Sequence, residues 1–413
     1  MNGTVNKKQV KPELRNAIYI GTLCAISYLA VYFARNILGA VTPQMIETGS
    51  FTDTYLGKAG SYYFVFYAIG QLINGMVGDK IKARYMLSLG LFFAGITNFI
   101  FSRITVSSPD LALVIYGLTG FFLAMIYGPM TKVVAENTDP KYTTRCSLGY
   151  TFSSFFGSPL AGVVAGVMAW QSVFTLGTGI LFVMAACCFG FFLYFEKKGI
   201  VKYGQFKTVK ADGQKRSLFE TIKLLVSRDI IKFSLISMLT GIVKTAVIFW
   251  LPTYINQYLG FTTKDSSFIY SAATLVISLT AFISVFVYER LGNNMDKTIL
   301  VMFTASATFF ALTFLIKLPI LNICFITLAV MGSNAAATML WSKYCPSLRD
   351  TGVVSSATGF LDFLSYIAAA ISNAVFPIAV PFIGWKGLIA VWIGLMILGI
   401  IVALPYKKLR ERQ

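Results

Sequence analysis

Four charged side chains interrupt apolar runs: Arg35 in SYLAVYFARNILGAV, Lys132 before VVAEN, Lys244 in LTGIVKTAVIFWLPTYI and Asp362 in SSATGFLDFLSY. A charge is costly in hydrocarbon and persists where it faces a cavity or a partner. Tyr28, Tyr32 and Arg35 are spaced i, i+4, i+7, on one helix face. A planar guanidinium flanked by phenolic hydroxyls suits an oxyanion; the bland alternative is a structural ion pair. Lys244 offers a second cation for the same anion, unless Asp362 holds it in a buried pair. Lys132 precedes Glu136 by four residues, the spacing of a local pair. Asp362 belongs to a stripe with Thr358, Tyr366 and Asn373 that lines either a cavity or a helix contact. In a cavity, Asp362 could take up a proton or exchange partners as substrate binds. Tyr63, Tyr67, Gln71 and Asn74 form a comparable face, open to a pocket or a packing role. Three cations against one acid favour an anionic substrate.

The elements that must hold these residues follow from composition. The chain is 56% hydrophobic, 15% aromatic and 13% charged, with mean hydropathy +0.70. That is too apolar for a core in water, so lipid is the second solvent. A crossing helix needs roughly 20 apolar residues. Such runs fall near 17–46, 55–77, 85–102, 110–134, 146–168, 173–195, 231–258, 266–288, 298–316, 320–342, 352–380 and 386–405. The expectation is an all-α membrane protein of about twelve transmembrane helices in two six-helix halves, 17–195 and 231–405. Segment 1–16 leads in, a basic linker spans 196–230, and 406–413 is a tail. Arg35 and Lys244 then stand in the first helix of each half, where two cations can meet across a central cavity at the interface of the repeats. The Gly162-x-x-x-Gly166 spacing reads as close helix packing.

The formal charge of +18 does not indicate nucleic acid, because Lys and Arg alternate from loop to loop rather than covering one soluble face. One set of loops and ends holds twenty-seven of the thirty-five basic residues, the opposite set five. Basic short loops stay in the cytoplasm, so both termini are expected there. The polar first sixteen residues show no cleavable signal peptide. Six cysteines lack CxxC spacing and there is no histidine, so no metal or cofactor is expected. No nucleophile–base pair lies in any apolar run, so the chain does not read as an enzyme.

After the second run comes GMVGDKIKAR, with Gly75, Gly78, Asp79, Lys80, Lys82 and Arg84. It resembles the loop motif between helices two and three of the major facilitator superfamily, with Lys82 where that family usually has glycine. Close approach at glycine and a charge cluster that pairs in one conformation and breaks in another suit a conformational switch. A degraded echo, YERLGNNMDK, follows the eighth run. The strings YLAVYFARN, FYAIGQLINGMVGDK, KTAVIFWLPTY and SSATGFLDFLSY together resemble the organophosphate:inorganic phosphate antiporters, a family that includes glycerol-3-phosphate and hexose-phosphate transporters. The resemblance spans both halves. It implies that Arg35 and Lys244 occupy the positions of two phosphate-binding arginines, and that Tyr28, Tyr32 and Tyr67 match pocket tyrosines. Gln71 stands where the glycerol-phosphate members carry lysine, and Ser154 near their histidine.

The expected function is secondary active transport of an organic anion, a sugar or glycerol phosphate exchanged for inorganic phosphate by alternating access. Substrate would be held by Arg35, Lys244, Tyr28, Tyr32, Tyr67, Gln71, Asp362 and Tyr366. The chain is expected to work as a monomer in a bacterial inner (plasma) membrane. The alternatives are a proton-coupled symporter of a carboxylate such as a sugar acid, with Asp362 as proton site, and a transporter-like sensor of sugar phosphate.

Overall fold

A computed structural model describes residues 12–78, 81–203, 226, 228–348 and 354–404. Asp79, Lys80, most of the linker and the 406–413 tail lie outside them. The described residues are helical, with no strand among them. In order they form α1 (Pro12–Glu47), α2 (Asp53–Gly78), α3 (Ala83–Ile104) and α4 (Pro109–Asn137). Next come α5 (Pro140–Ser154, continued after a bend as Gly157–Val167), α6 (Trp170–Lys197), α7 (Ile230–Gln257) and α8 (Thr263–Arg290). α9 (Met295–Leu315) and α10 (Pro319–Ser347) follow. The last helical stretch, Val354–Ala403, breaks at Gly384, whose φ of 68° no α-helix contains, into α11 (354–383) and α12 (385–403).

Nine stretches among the described residues are long and apolar enough to cross a membrane. One of them, Ala357–Ala403, has 47 residues. At 1.5 Å per residue that is about 70 Å, enough for two crossings of a 30 Å hydrocarbon layer once Gly384 turns the chain. The chain is an integral membrane protein. Several helices outrun the apolar stretches read from sequence, as with Pro12–Glu47 against 17–46, because the last turns of a crossing helix stand in headgroups and carry polar residues.

Four irregularities in the helices share one cause. Proline has no N–H to donate and its ring crowds the carbonyl four residues earlier. Pro129 disrupts α4 at Met125, within the break at 124–126, and Pro159 disrupts α5 at Phe155, within the break at 155–156. Pro346 does so at Ser342, inside a π-helical turn, Leu340–Tyr344, in α10. Pro252 does so at Ile248, directly after a second π turn, Ile242–Val247, in α7. In α8, which has no proline at its bend, Ser278 and Thr280 hydroxyls each bond a carbonyl three residues back at 2.5 Å, competing with the ladder.

The first six helices meet the last six at the end opposite the basic loops. There the Thr263 hydroxyl donates to Glu47 at 2.6 Å, Gln257 Nε2 donates to Asp53 at 3.1 Å, and the Ser271 hydroxyl donates to the Pro159 carbonyl at 2.6 Å. Gly162 and Gly166 carry the α5–α8 contact. A Cβ at Gly162 would come 2.8 Å from the Ser267 carbonyl, and one at Gly166 would come 3.0 Å from the Phe268 ring, as the spacing led one to expect.

Candidate functional site

A cavity of about 780 Å³ lies between the two sets of helices and runs toward the basic loops, past Thr131 near the end of α4 and Pro346 near the end of α10. Its wall includes all of Tyr28, Tyr32, Arg35, Tyr67, Gln71, Lys244, Asp362 and Tyr366. Arg35 lies twelve residues before the end of α1 and Lys244 thirteen before the end of α7. Both therefore sit about 18–20 Å below the closed end, near mid-membrane depth. Among the described lining residues they are the only cations, and Asp362 is the only carboxylate.

Arg35 is held by aromatic side chains. Its Nη1 donates to the Tyr366 hydroxyl at 2.9 Å. Its Cζ lies 4.9 Å from the Tyr366 ring centroid, 5.2 Å from those of Phe64 and Tyr67, and 5.3 Å from that of Tyr32. Ring faces attract the cation by about 0.5–2 kcal/mol apiece, more when desolvated. A guanidinium has five N–H donors. Tyr366 takes one, and the others have no partner among the described residues, so they remain for an anion or water. Tyr28 packs edge-on to Tyr32 at 4.9 Å and borders Tyr127 and Tyr150 at 5.6 and 6.0 Å, which completes a tyrosine-lined wall.

Lys244 is placed by the tight approach of α7 to α11. The Ser237 hydroxyl donates to the Leu361 carbonyl at 2.7 Å, and a Cβ on Gly241 would come 2.8 Å from the Ser365 Cα, so only glycine permits this separation. Lys244 then rides on the π turn with its side chain exposed to the cavity. π turns recur at functional sites because they leave backbone and side chains off the regular helical register. No nitrogen–oxygen distance between Lys244 and Asp362 falls within 4.0 Å, so the buried pair that was the structural alternative is not formed. Both remain available to a ligand.

The two polar faces read from sequence divide. At about 100° per residue, Tyr63 and Asn74 differ in direction by only about 20°, whereas Gln71 is rotated about 80° from Tyr63. Tyr67 and Gln71 accordingly line the cavity, while Tyr63 packs against Tyr116 at 5.2 Å and Asn74 donates to the Phe121 carbonyl at 3.3 Å, both toward α4. Phe64, on the cavity side of the same helix, was missed, although its rotation marks it as a neighbour of Gln71. On α11, Thr358, Asp362 and Tyr366 line the cavity, but Asn373 lies at the closed end, fully buried beside Gly57 and Gly60. The stripe is thus part cavity and part helix contact. Lys132 is half-buried one turn from the buried Glu136 and is not among the lining residues.

Of the switch motif, Gly75 and Gly78 end α2 and Arg84 opens α3, with Asp79 and Lys80 outside the described residues. Arg84 Nη1 pairs with Glu196 Oε2 at the end of α6 at 2.9 Å, and its Nη2 donates to the Tyr85 hydroxyl at 2.7 Å. The Arg84 backbone N–H meets the Tyr203 hydroxyl at 3.3 Å; burial pushes that phenol above its ordinary range, so it stays protonated. In the echo, Asp296 pairs with Lys232 at 3.0 Å. Neither pair bridges the two sets of six helices: the first lies within the first six, the second within the last six.

Residues 24–373 match the model of the Major Facilitator Superfamily. Over 412 residues the chain is 23% identical to the glycerol-3-phosphate transporter of Bacillus subtilis, covering 94% of this chain and 91% of that one. It is 23% identical to a phosphoglycerate transporter protein of Salmonella typhimurium, covering 92% and 88%. It is 21% identical to the hexuronate transporter of Bacillus subtilis, covering 83% of each. Among solved structures, the inward-facing, unoccupied bacterial homologue of the human lysosomal transporter Spinster superposes with a TM-score of 0.72 over 96% of both chains, at 12% identity.

Proposed function

From a chain that belongs to the Major Facilitator Superfamily, we propose that this is a carrier of phosphate monoesters, exchanging a sugar or glycerol phosphate for inorganic phosphate by alternating access. The carrying observation is that Arg35 and Lys244, one from each set of six helices, line a single cavity at similar depth with neither paired to an acid. Phosphate offers several oxygens, so it can take the free guanidinium N–H groups on one side and the lysine ammonium on the other. Binding draws the halves together, and their rocking about the site would open the closed end while shutting the basic one. Mutual repulsion of the two cations opposes closure of the empty carrier, and a bound anion removes it. Exchange follows, because loaded passage is easier than empty return.

In this reading the basic loops and both termini face the cytoplasm of a plasma membrane, and a monomer suffices because the cavity lies within one chain. The relatives named for glycerol 3-phosphate and phosphoglycerate support the substrate class. The test is counterflow: purified protein in liposomes loaded with phosphate should take up labelled phosphate, and Arg35→Ala or Lys244→Ala should abolish it. Full exchange by either variant would sink the assignment.

A second reading has a specific support in Asp362 on the cavity wall and in the hexuronate relative: symport of a sugar acid with a proton carried by Asp362. Uptake driven by an imposed pH gradient and lost in Asp362→Asn would favour it over exchange.

A further inference from the structure

The chain has five tryptophans. Four are buried and packed against other rings: Trp170 on Phe51, Trp250 on Phe249, Trp385 on Tyr254 and Trp392 on Phe310. Trp341 differs. It stands half-buried on the π turn of α10, lines the cavity, and has no aromatic partner among the described residues. Asn334 and Thr338 lie seven and three residues before it, on the same helix face, and line the cavity as well. The Asn334 side-chain oxygen is buried without a hydrogen-bond partner, so the amide loses no bond there on turning toward a donor. The Thr338 hydroxyl donates back to the Asn334 carbonyl at 2.9 Å, which leaves its lone pairs free to accept.

An indole surface beside an amide and a hydroxyl recognises a flat-faced, hydroxyl-bearing group: the C–H face of a sugar or polyol lies on the ring and its O–H groups reach the polar atoms. Among the described lining residues this wall has no cation of its own. The lining cations are Arg35 and Lys244, which the phosphoryl group takes, and the remaining lining charge is the Asp362 carboxylate. A substrate tail ending in carboxylate would therefore find no counter-charge and a like charge nearby.

We propose that Trp341, Asn334 and Thr338 form a subsite for the uncharged, polyhydroxylated tail of a sugar or polyol monophosphate, and that the carrier selects such tails against carboxylated ones. The proposal rests on the phosphate-exchange reading and goes beyond it by assigning the tail. It places α10 as the specificity wall and α1 with α7 as the anion wall, so the two can be altered separately.

The experiment uses full-length protein in phosphate-loaded liposomes, with labelled phosphate as the transported ion and glucose 6-phosphate or 3-phosphoglycerate as competitor. The native protein should be inhibited at roughly tenfold lower concentration by the sugar phosphate than by phosphoglycerate. Trp341→Ala and Asn334→Ala should each raise the sugar-phosphate concentration needed by roughly tenfold while leaving the half-saturating phosphate concentration within about twofold. Trp341→Phe, which keeps a ring and a folded helix, should fall between. Equal losses for phosphate and ester in the α10 variants, or stronger inhibition of the native protein by phosphoglycerate, would overturn the subsite. Native protein that takes up no phosphate at all would instead defeat the exchange reading itself, a distinct result seen before any variant is made.

Discussion

Tyr366 on α11 accepts a 2.9 Å hydrogen bond from Arg35 on α1, so a cation of the first six helices is tied to a phenol of the last six across the cavity. The bond holds the guanidinium in a fixed rotamer facing the cavity. Charge-assisted hydrogen bonds contribute about 1.5–3 kcal/mol. Tyr366→Phe keeps the ring beneath the cation and removes only the hydroxyl, so phosphate affinity should fall roughly tenfold, at the lower edge of that range. Isothermal titration or half-saturation of exchange would read it. An unchanged affinity would mean that the hydroxyl does not position Arg35.

Arg35→Lys separates charge from shape. Lysine keeps the positive charge but offers a point charge instead of a planar fork, and it reaches the four surrounding rings less well. Exchange should drop by roughly tenfold or more. The reverse change, Lys244→Arg, should retain exchange, because the site gains donors and the side chain already faces the cavity. A native-like Arg35→Lys carrier would show that only net charge matters at that position.

Much of this site was legible because the physics that exposes it is local. A charge in an apolar run has few places to go, so Arg35, Lys244 and Asp362 were identifiable from their neighbours alone, and helical spacing gathered Tyr28, Tyr32 and Tyr366 with them. Trp341 and Asn334 were not seen, since an indole or amide in an apolar run fits packing as well as binding, and only the third dimension shows which rings lack partners. The π turns escaped for another reason. Pro252 and Pro346 announce a disturbance four residues upstream, but proline signals equally a bend, as at Met125 and Phe155, or a widened turn. Tyr63 and Asn74 were grouped with Tyr67 because a face about 80° wide looks continuous in sequence yet can span two neighbours in space.

Leucine at Gly162 should act on the closed end. Its side chain cannot fit 2.8 Å from the Ser267 carbonyl, so α5 and α8 must separate there. A cysteine introduced at Ser267, fully buried in the native contact, should then react with a membrane-impermeant maleimide several times faster than in the glycine background. Unaltered protection would mean that this contact does not keep the end shut.

Arg84→Ala leaves Glu196 without its partner. The side chains are 9% and 18% exposed, so the loss falls short of the cost for a fully buried pair and should be about 1–3 kcal/mol. The melting temperature of detergent-purified protein should fall, and adding Glu196→Gln should restore part of it, since a neutral amide needs no counter-charge. A double variant as unstable as the single one would place the effect in lost contacts with Tyr85 and Phe189 instead.

Counted as ionised, the three charges among the described lining residues give the empty cavity one net positive charge, where the transmembrane voltage acts. Moving one elementary charge through 100 mV changes the free energy by about 2.3 kcal/mol. With the basic loops facing the cytoplasm, as proposed, an interior-negative potential biases the empty carrier toward the orientation in which the cavity meets those loops, the one observed here. A monovalent ester neutralises the site and crosses without sensing the voltage, whereas a divalent one reverses the sign. In the proposed exchange the site's own charge returns with the second anion, so current under voltage clamp reads the difference in charge between the two exchanged cargoes.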